Sequence, residues 1–239
     1  MTSVGAISRS KKPKTKIGGV YRSQTPKTII ATGCSSGVVG NEPSCPILPH
    51  TSDPTDFQVL KQLLQAKQFA RNYTVIIGCR DVGFATSQYA AVGYENRKHR
   101  LVFLTLEPSN LMSVHEFAEQ VIARTPRDEE LDYLPLDYLF LNADTAQEAG
   151  TSTHGSKWCD AHIVNHLVHM ALRDTAHHYL MHLIRDWLIP AKSRVMFISS
   201  EVIRYGDPAR TDKDLLAGSG ADELRVYIQS KFTQLLNAH

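Results

Sequence analysis

Short apolar runs alternate with longer amphipathic segments along this chain. Five runs consist mainly of Val, Ile, Leu and other apolar residues, and this continuous pattern predicts strands that are buried on both faces of a sheet. The predicted strands span residues 28–32, 75–79, 101–106, 136–141 and 195–198.

Helical patterns occupy the segments between these runs. Asp53-Pro54 offers an N-cap followed by a proline at the first helical position. The apolar stripe after it comprises Phe57, Leu60, Leu63, Leu64 and Ala70. Further helices are predicted over 82–97, 111–124 and 158–187, and from Asp222 to the end of the chain. The polar, glycine-containing segment 203–222 predicts a loop.

Alternating strands and helices of these lengths predict an α/β fold with a parallel, doubly wound sheet. Ligands of such sheets bind beyond the carboxyl ends of the strands. The residues that come just after predicted strands, and that should therefore line this edge, are Gly33–Gly37, Arg80, Glu107, Asn142 and Ser200.

Composition favours one α/β domain with a basic tail. The chain has 239 residues, of which 42% are hydrophobic, and this is enough to bury one substantial core. Residues 1–41 contain no Asp or Glu, and residues 1–26 predict a disordered basic tail; a targeting peptide or a contact with an acidic surface is the alternative. The domain would span residues 27–239. The formal net charge of +2 does not indicate a nucleic-acid partner.

Cysteine and hydropathy patterns bear on the compartment. Cys34, Cys45, Cys79 and Cys159 form no CxxC pair, so neither a disulfide framework nor a zinc site is indicated and a reducing compartment fits. No apolar run is long enough to span a bilayer. We expect a cytoplasmic protein, with a mitochondrial or membrane-associated location as the alternative.

The histidines have a spacing that permits metal ligation. His162, His166 and His169 would share one helix face, as would His178 and His182. No carboxylate or cysteine accompanies them in a recognised ligand pattern. We interpret them as packing or helix-surface residues, and we predict no metal.

The first predicted strand leads into a turn of small residues. The stretch from Thr28 to Gly40 reads TIIATGCSSGVVG, an apolar strand followed by glycines and serines. Glycines in such a turn let the backbone N–H groups approach a phosphate-bearing ligand. Strand followed by glycine-rich turn is the order that a nucleotide-binding βα unit needs, and an ordinary small-residue turn after a strand is the alternative.

A tyrosine and a lysine lie one helical turn apart near the end of the chain. Tyr227 and Lys231 are four residues apart and would share a helix face. A nearby ammonium favours the phenolate, so such a tyrosine can exchange a proton with a carbonyl or alcohol oxygen. An ordinary helix with an exposed lysine is the alternative interpretation.

Five motifs in this order resemble the short-chain dehydrogenase/reductase family. They are TGCSSGVVG, Leu141-Asn142-Ala143, Asn165, Ser199-Ser200 and the Tyr227–Lys231 pair. Cys79-Arg80-Asp81 and Val164-Asn165-His166-Leu167 are similar to the retinol-dehydrogenase and protochlorophyllide-reductase branch of that family. The resemblance runs from about residue 27 to the C-terminus and implies a Rossmann-type fold.

The resemblance implies a role for each matching residue. Tyr227 would be the general acid/base, and Lys231 would favour loss of its proton and hold the nicotinamide ribose. Ser200 would bind the substrate oxygen, and Asn165 would support the lysine through a water-linked relay. The cofactor would be lined by Thr32, Gly33, Ser35, Ser36, Gly37, Arg80, Glu107, Asn142, Ala143, Tyr227 and Lys231.

The resemblance also implies the cofactor. A guanidinium at Arg80 suits the 2′-phosphate of NADP, whereas an acidic residue at that strand tip would suit NAD. Asp81 stands one place later, so NADP is favoured over NAD. Glu107 stands where the family usually has an aspartate near the adenine.

Three departures from the family pattern affect these expectations. The third glycine falls at Gly40 instead of position 39, and the Pro-rich segment 41–54 that follows is interpreted as an insertion. Asp144 replaces the glycine of Asn-Ala-Gly, so a carboxylate would lie near the cofactor and would weaken binding if it were buried and unpaired. The sequence stops at His239, so we expect the C-terminal strands of the family's sheet to be missing.

The sequence thus predicts an NADP-dependent oxidoreductase that interconverts a carbonyl and an alcohol by hydride transfer. Its partner would be a small-molecule substrate, and a homo-oligomer is compatible with the pattern. A catalytically inactive nucleotide-binding or interaction protein is the alternative, as is a truncated fragment of the family.

Overall fold

A computed structural model describes residues 26–34, 55–66, 72–93, 98–124, 136–145, 147–153, 155–165 and 176–237. Residues 1–25 of the predicted tail and the whole predicted insertion 41–54 lie outside this set. The departure at Gly40 also lies outside it.

One parallel sheet forms the centre of the molecule. Its strands are β1 (Lys27–Thr32), β2 (Tyr73–Cys79), β3 (His99–Thr105), β4 (Leu136–Leu141) and β5 (Arg194–Phe197). They pair in the order β3-β2-β1-β4-β5, and each pairing is parallel. The strand order reverses direction between β1 and β4, which is where ligands of such sheets bind. All five predicted strands and the Rossmann-type fold are confirmed.

Helices connect the strands. They are α1 (Thr55–Gln65), α2 (Val82–Ala90), α3 (Leu111–Arg124), α4 (Asp160–Asn165), α5 (Ala176–Ala191), α6 (Pro208–Asp214) and α7 (Glu223–Asn237), with a 3-10 helix over Glu201–Tyr205. The helix predicted over 111–124 is confirmed, and the one predicted over 82–97 ends earlier, at Ala90. The helix predicted over 158–187 begins later, because Trp158 and Cys159 precede α4. Its other described residues belong to α4 and α5, and α5 continues to Ala191.

The loop predicted over 203–222 is wrong in its first half, which contains α6. The Asp207 carboxylate accepts a hydrogen bond from the Ala209 amide at 2.9 Å, and Pro208 occupies the start of the helix. An acidic cap followed by proline is the signal that places a helix start at Asp53-Pro54 in the sequence. The same signal at Asp207-Pro208 was not used, because the segment around it is highly polar.

The sheet is covered on both faces. Alternate residues of β1 face opposite sides, so Ile30 joins a core with helices α3 and α5, while Ile29 joins a core with α1 and α2. A third, smaller cluster packs α4 and α7 around Cys159, Leu215 and Val226. Within the described ranges, no helix combines the length and apolar character needed to cross a membrane.

Candidate active site

The turn after β1 packs directly on the backbone after β4. Gly33 has a φ of 72°, a left-handed conformation that L side chains rarely adopt. A Cβ at Gly33 would lie 2.5 Å from the Ala143 Cα atom and 2.6 Å from the Ala143 nitrogen. Both the backbone conformation and the close approach therefore require glycine.

Hydrogen bonds hold these two turns together. The Thr32 hydroxyl accepts from the amides of Asn142, at 3.1 Å, and Ala143, at 3.2 Å. The Asn142 side chain donates to the Gly33 carbonyl at 3.4 Å, and Asn142 is only 3% exposed. The structure thus brings four predicted cofactor residues together, and it uses the Thr32 and Asn142 side chains to align the turns.

Tyr89 holds the next residue of the glycine turn. Its hydroxyl donates to the Cys34 carbonyl at 2.8 Å, and its ring is fully buried beside Phe57 of α1. Sequence reasoning missed Tyr89 because the apolar pattern of α2 is weak. The predicted cofactor residues Ser35, Ser36 and Gly37 lie outside the described residues.

Two predicted adenosine-side residues also follow strand ends. Arg80 is exposed directly after β2, and the Asp81 carboxylate accepts from the Phe84 amide at 2.8 Å as the cap of α2. Glu107 lies beyond β3, and its carboxylate accepts from the amide and the hydroxyl of Ser109 at 3.2 and 2.8 Å. Asp81 and Glu107 are therefore engaged in local turns, whereas Arg80 is exposed at the end of β2.

The tyrosine and lysine lie on one face of α7 and reach the strand ends. The Lys231 ammonium is 5.8 Å from the centre of the Tyr227 ring. Lys231 is only 1% exposed, and its ammonium donates to the Ile198 carbonyl just after β5, at 3.2 Å. The lysine is therefore a buried cation beside the phenol, and the exposed-lysine alternative is wrong.

Asp144 connects this pair to the glycine turn. One oxygen of its carboxylate, Oδ2, accepts from the Lys231 ammonium at 3.0 Å and from the Tyr227 hydroxyl at 3.4 Å. The Asp144 side chain is 37% exposed. The condition under which Asp144 was expected to weaken binding, a buried and unpaired carboxylate, is therefore not met.

Asn165 holds the segment next to Asp144. Its amide accepts from the Thr145 backbone N–H at 2.6 Å and donates to the Thr145 carbonyl at 2.7 Å. It also donates to the Ser230 hydroxyl at 3.0 Å, and Ser230 donates to the Tyr227 carbonyl at 2.9 Å. Asn165 thus reaches α7 one residue before Lys231. Sequence reasoning did not identify Thr145 or Ser230 as its partners.

Ser200 lies near the lysine along the chain. It comes two residues after Ile198, and its hydroxyl accepts from the Val202 amide at 3.5 Å at the start of the 3-10 helix. The side chain is half-buried. The structure therefore places Ser200 at the same sheet edge as the other candidates, in the role of a helix cap.

Burial shifts the pKa of three further titratable groups. Burial lowers the pKa of His162 to about 3, so this α4 histidine is neutral near pH 7. Burial, together with the charge of Asp81, raises the pKa of Cys79 to about 11, and burial also raises the pKa of Cys159. Within the described part of the chain, no cluster of three or more metal-ligating side chains is found.

Comparison with known proteins identifies a relative that aligns with most of this chain. No protein-family model matches the chain. A curated short-chain dehydrogenase/reductase of Pestalotiopsis microspora is 39% identical over 215 residues, which are 88% of this chain and 62% of that relative. The chain therefore spans less than two thirds of the length of this relative.

Solved structures agree on the architecture. An alcohol dehydrogenase of Thermococcus sibiricus, complexed with 5-hydroxy-NADP, matches with a TM-score of 0.54 and 15% identity over 90% of this chain and 70% of that one. A metagenomic short-chain oxidoreductase in complex with NADP matches with a TM-score of 0.53 and 19% identity over 90% and 75%. These structures show the fold, and the similarity to the curated relative supports the short-chain dehydrogenase/reductase family.

Proposed function

We propose that residues 27–239 form an NADP-dependent oxidoreductase domain that interconverts a carbonyl and an alcohol. The proposal includes the retinol-dehydrogenase and protochlorophyllide-reductase branch, on the motifs at Cys79–Asp81 and Val164–Leu167. One observation carries it: Tyr227 and Lys231 meet at Asp144, one residue from Ala143, whose backbone packs against Gly33. The segment 142–145 therefore joins the candidate acid/base to the candidate cofactor turn.

The candidate residues would divide the dinucleotide among them. Gly33 would approach the pyrophosphate and ribose together with Ser35, Ser36 and Gly37, which lie outside the described residues, and Lys231 would hold the nicotinamide ribose. Arg80 would pair with a 2′-phosphate, and support for NADP over NAD comes from the engagement of Asp81 in capping α2. When bound, the nicotinamide supplies or accepts the hydride.

Proton transfer would be carried out by this chain's own residues. Tyr227 would donate its phenolic proton to a carbonyl oxygen during reduction and accept a proton during oxidation. Ser200 would donate a hydrogen bond to the same substrate oxygen. The cationic Lys231 would favour the phenolate of Tyr227, and Asn165 would hold α7 in place through Ser230.

Cofactor titration tests the proposal. Tryptophan fluorescence should show saturable quenching by NADPH, because Trp158 and Trp187 lie in the same domain. NADH should bind more weakly than NADPH. Arg80→Ala should weaken NADPH binding by about tenfold and leave NADH binding unchanged, since only NADPH presents a phosphate there. Absence of saturable quenching up to millimolar NADPH, checked by calorimetry, would contradict the proposed function.

A non-catalytic nucleotide-binding protein is the second candidate. The observation that favours it is the engagement of both Tyr227 and Lys231 by Asp144. Binding of NADPH without turnover of any member of a panel of ketones, aldehydes and alcohols would support this second candidate. Turnover that depends on Tyr227 would exclude it.

The proposal extends to the molecule's surroundings. We propose a small-molecule substrate and a cytoplasmic location. Light scattering during size-exclusion chromatography would distinguish a monomer from a homo-oligomer. Fractionation of cells that produce the protein would test the compartment.

A further inference from the structure

A carboxylate stands at the centre of the Tyr227–Lys231 pair. The Asn-Ala-Gly motif that Asn142 and Ala143 resemble has a glycine at this position, which has no side chain. Asp144 places a hydrogen-bond acceptor there instead. The same oxygen, Oδ2, binds the Lys231 ammonium at 3.0 Å and the Tyr227 hydroxyl at 3.4 Å. These are the two donors that the proposed function assigns to the ribose and to the substrate.

The position of this carboxylate is built into the fold. On one side of Asp144, the amides of Asn142 and Ala143 donate to the Thr32 hydroxyl. On the other side, the fully buried Asn165 binds both the N–H and the carbonyl of Thr145. The backbone is therefore fixed immediately before and after residue 144, and the carboxylate is presented to α7.

Burial of the lysine strengthens its pairing. The side chain of Lys231 is 2% exposed, and its ammonium has the Ile198 carbonyl and the Asp144 carboxylate as partners. A buried cation needs an opposite charge or hydrogen bonds in place of water. A carboxylate satisfies this need better than a neutral hydroxyl, because a hydrogen bond between two charged groups is the stronger one.

We propose that the Asp144 carboxylate competes with the cofactor and the substrate for Lys231 and Tyr227. This competition would set the affinity for the cofactor. The carboxylate accepts from the Tyr227 hydroxyl and from one of the three N–H donors of Lys231, and the Ile198 carbonyl accepts from a second. A ribose that binds Lys231 through more than one donor must therefore displace the carboxylate. This inference rests on the proposed function. It adds that the affinity for the dinucleotide is limited by the chain's own carboxylate.

Charge-removing variants test the competition. Asp144→Asn keeps the size of the side chain and removes the charge, and Asp144→Gly removes the acceptor. Asp212→Asn is the matched control, because Asp212 is exposed on α6 and its replacement changes the net charge equally. We expect the Kd for NADPH to fall about fivefold or more in Asp144→Asn and further in Asp144→Gly, and to stay within about twofold in Asp212→Asn.

Unfolding without cofactor tests the pair itself. Circular dichroism first establishes that each variant is folded. A double-mutant cycle between Asp144→Asn and Lys231→Met should then show a coupling of about tenfold in the unfolding equilibrium constant. A coupling below about twofold would overturn the inference, because no competitor would then be engaged.

The binding results separate the two hypotheses. If wild type and both Asp144 variants bind NADPH equally, the competition is overturned and the proposed function stands. If wild type binds weakly and the variants bind tightly, both are supported. If folded wild type and both variants all fail to bind, the proposed function fails and the competition fails with it.

Discussion

The candidate site has two ends that are held together in different ways. The glycine end comprises Thr32, Gly33, Asn142 and Ala143, and it is built from close backbone contact and hydrogen bonds to the backbone. The lysine end comprises Asp144, Asn165, Tyr227 and Lys231, and it is built from side-chain contacts that include the ion pair between Asp144 and Lys231. Residues 142–145 connect the two ends in one short segment.

The difference shows what each end can tolerate. At the glycine end, any side chain at Gly33 would overlap the backbone of Ala143, so only one arrangement is available. At the lysine end, Asp144 and Lys231 meet through their side chains, so we expect another acceptor to be able to replace the carboxylate at Lys231. We therefore expect the glycine end to determine stability and the lysine end to determine binding and turnover.

The largest effect should come from removing one hydroxyl at the lysine end. Tyr227→Phe should lower turnover by about a thousandfold, because general acid/base catalysis contributes about 10²- to 10⁴-fold. NADPH affinity should stay within about threefold, since the ring remains. Steady-state kinetics and fluorescence titration measure the two quantities. Tyr205→Phe, at a 69% exposed tyrosine, is the control and should keep full turnover. Full turnover in Tyr227→Phe would exclude the assigned role.

A methyl group at the glycine end should be the most destabilising change. Gly33→Ala should lower the free energy of unfolding by about 3 kcal/mol, from the positive φ together with the overlap with Ala143. Gly218→Ala is a matched control, because Gly218 also has a φ of 72° and a Cβ there would have no neighbour within 4 Å. It should lose only about 1 kcal/mol. Urea unfolding that gave equal losses would show that the contact with Ala143 is unimportant.

Loss of the Thr32 hydroxyl should have a smaller effect. Thr32→Val keeps the shape and removes the acceptor for two buried backbone amides, those of Asn142 and Ala143. The free energy of unfolding should fall by about 2 kcal/mol. Thr32→Ser retains the hydroxyl and should lose less than half as much. If both variants unfold at the same urea concentration, these hydrogen bonds do not hold the turns together.

Acid should lower the stability of the fold through His162. Burial lowers the pKa of this α4 histidine from 6.5 to about 3, so the unfolded chain takes up a proton that the folded chain excludes. Exclusion of the proton therefore leaves the free energy of unfolding unaffected above pH 6.5 and lowers it progressively as the pH falls toward 3. The free energy of unfolding should decrease by about 1 kcal/mol between pH 6.5 and 5.5 from this cause. Wild type should lose that much more than His162→Leu over this interval in urea unfolding, and equal losses would contradict the buried neutral histidine.

Apolar runs predicted all five strands. The central strands β1 and β2 are buried along most of their length, because a strand covered on both faces needs apolar residues throughout. The edge strands β3 and β5 are mostly half-buried. The helix α6 was missed because its residues are mostly exposed and polar, so only its Asp207-Pro208 start carried a signal. Tyr89, in contrast, is fully buried. It was missed because its role depends on a single hydrogen bond, from its hydroxyl to the Cys34 carbonyl, in a helix with a weak apolar pattern. Local patterns reveal the helix face or strand face that is buried, whereas single long-range hydrogen bonds leave no periodic trace.

The sequence by itself determined the alternation of strands and helices, the glycine after β1 and the spacing of Tyr227 and Lys231 on one helix face. Only the tertiary structure decided that Asp144 meets that pair, because Asp144 and Tyr227 are 83 residues apart along the chain. The contact exists because β1, β4 and β5 are neighbours in one parallel sheet, so the segments that follow them meet at the same edge. Strand order is a property of the folded sheet, and no local pattern of residues encodes it directly.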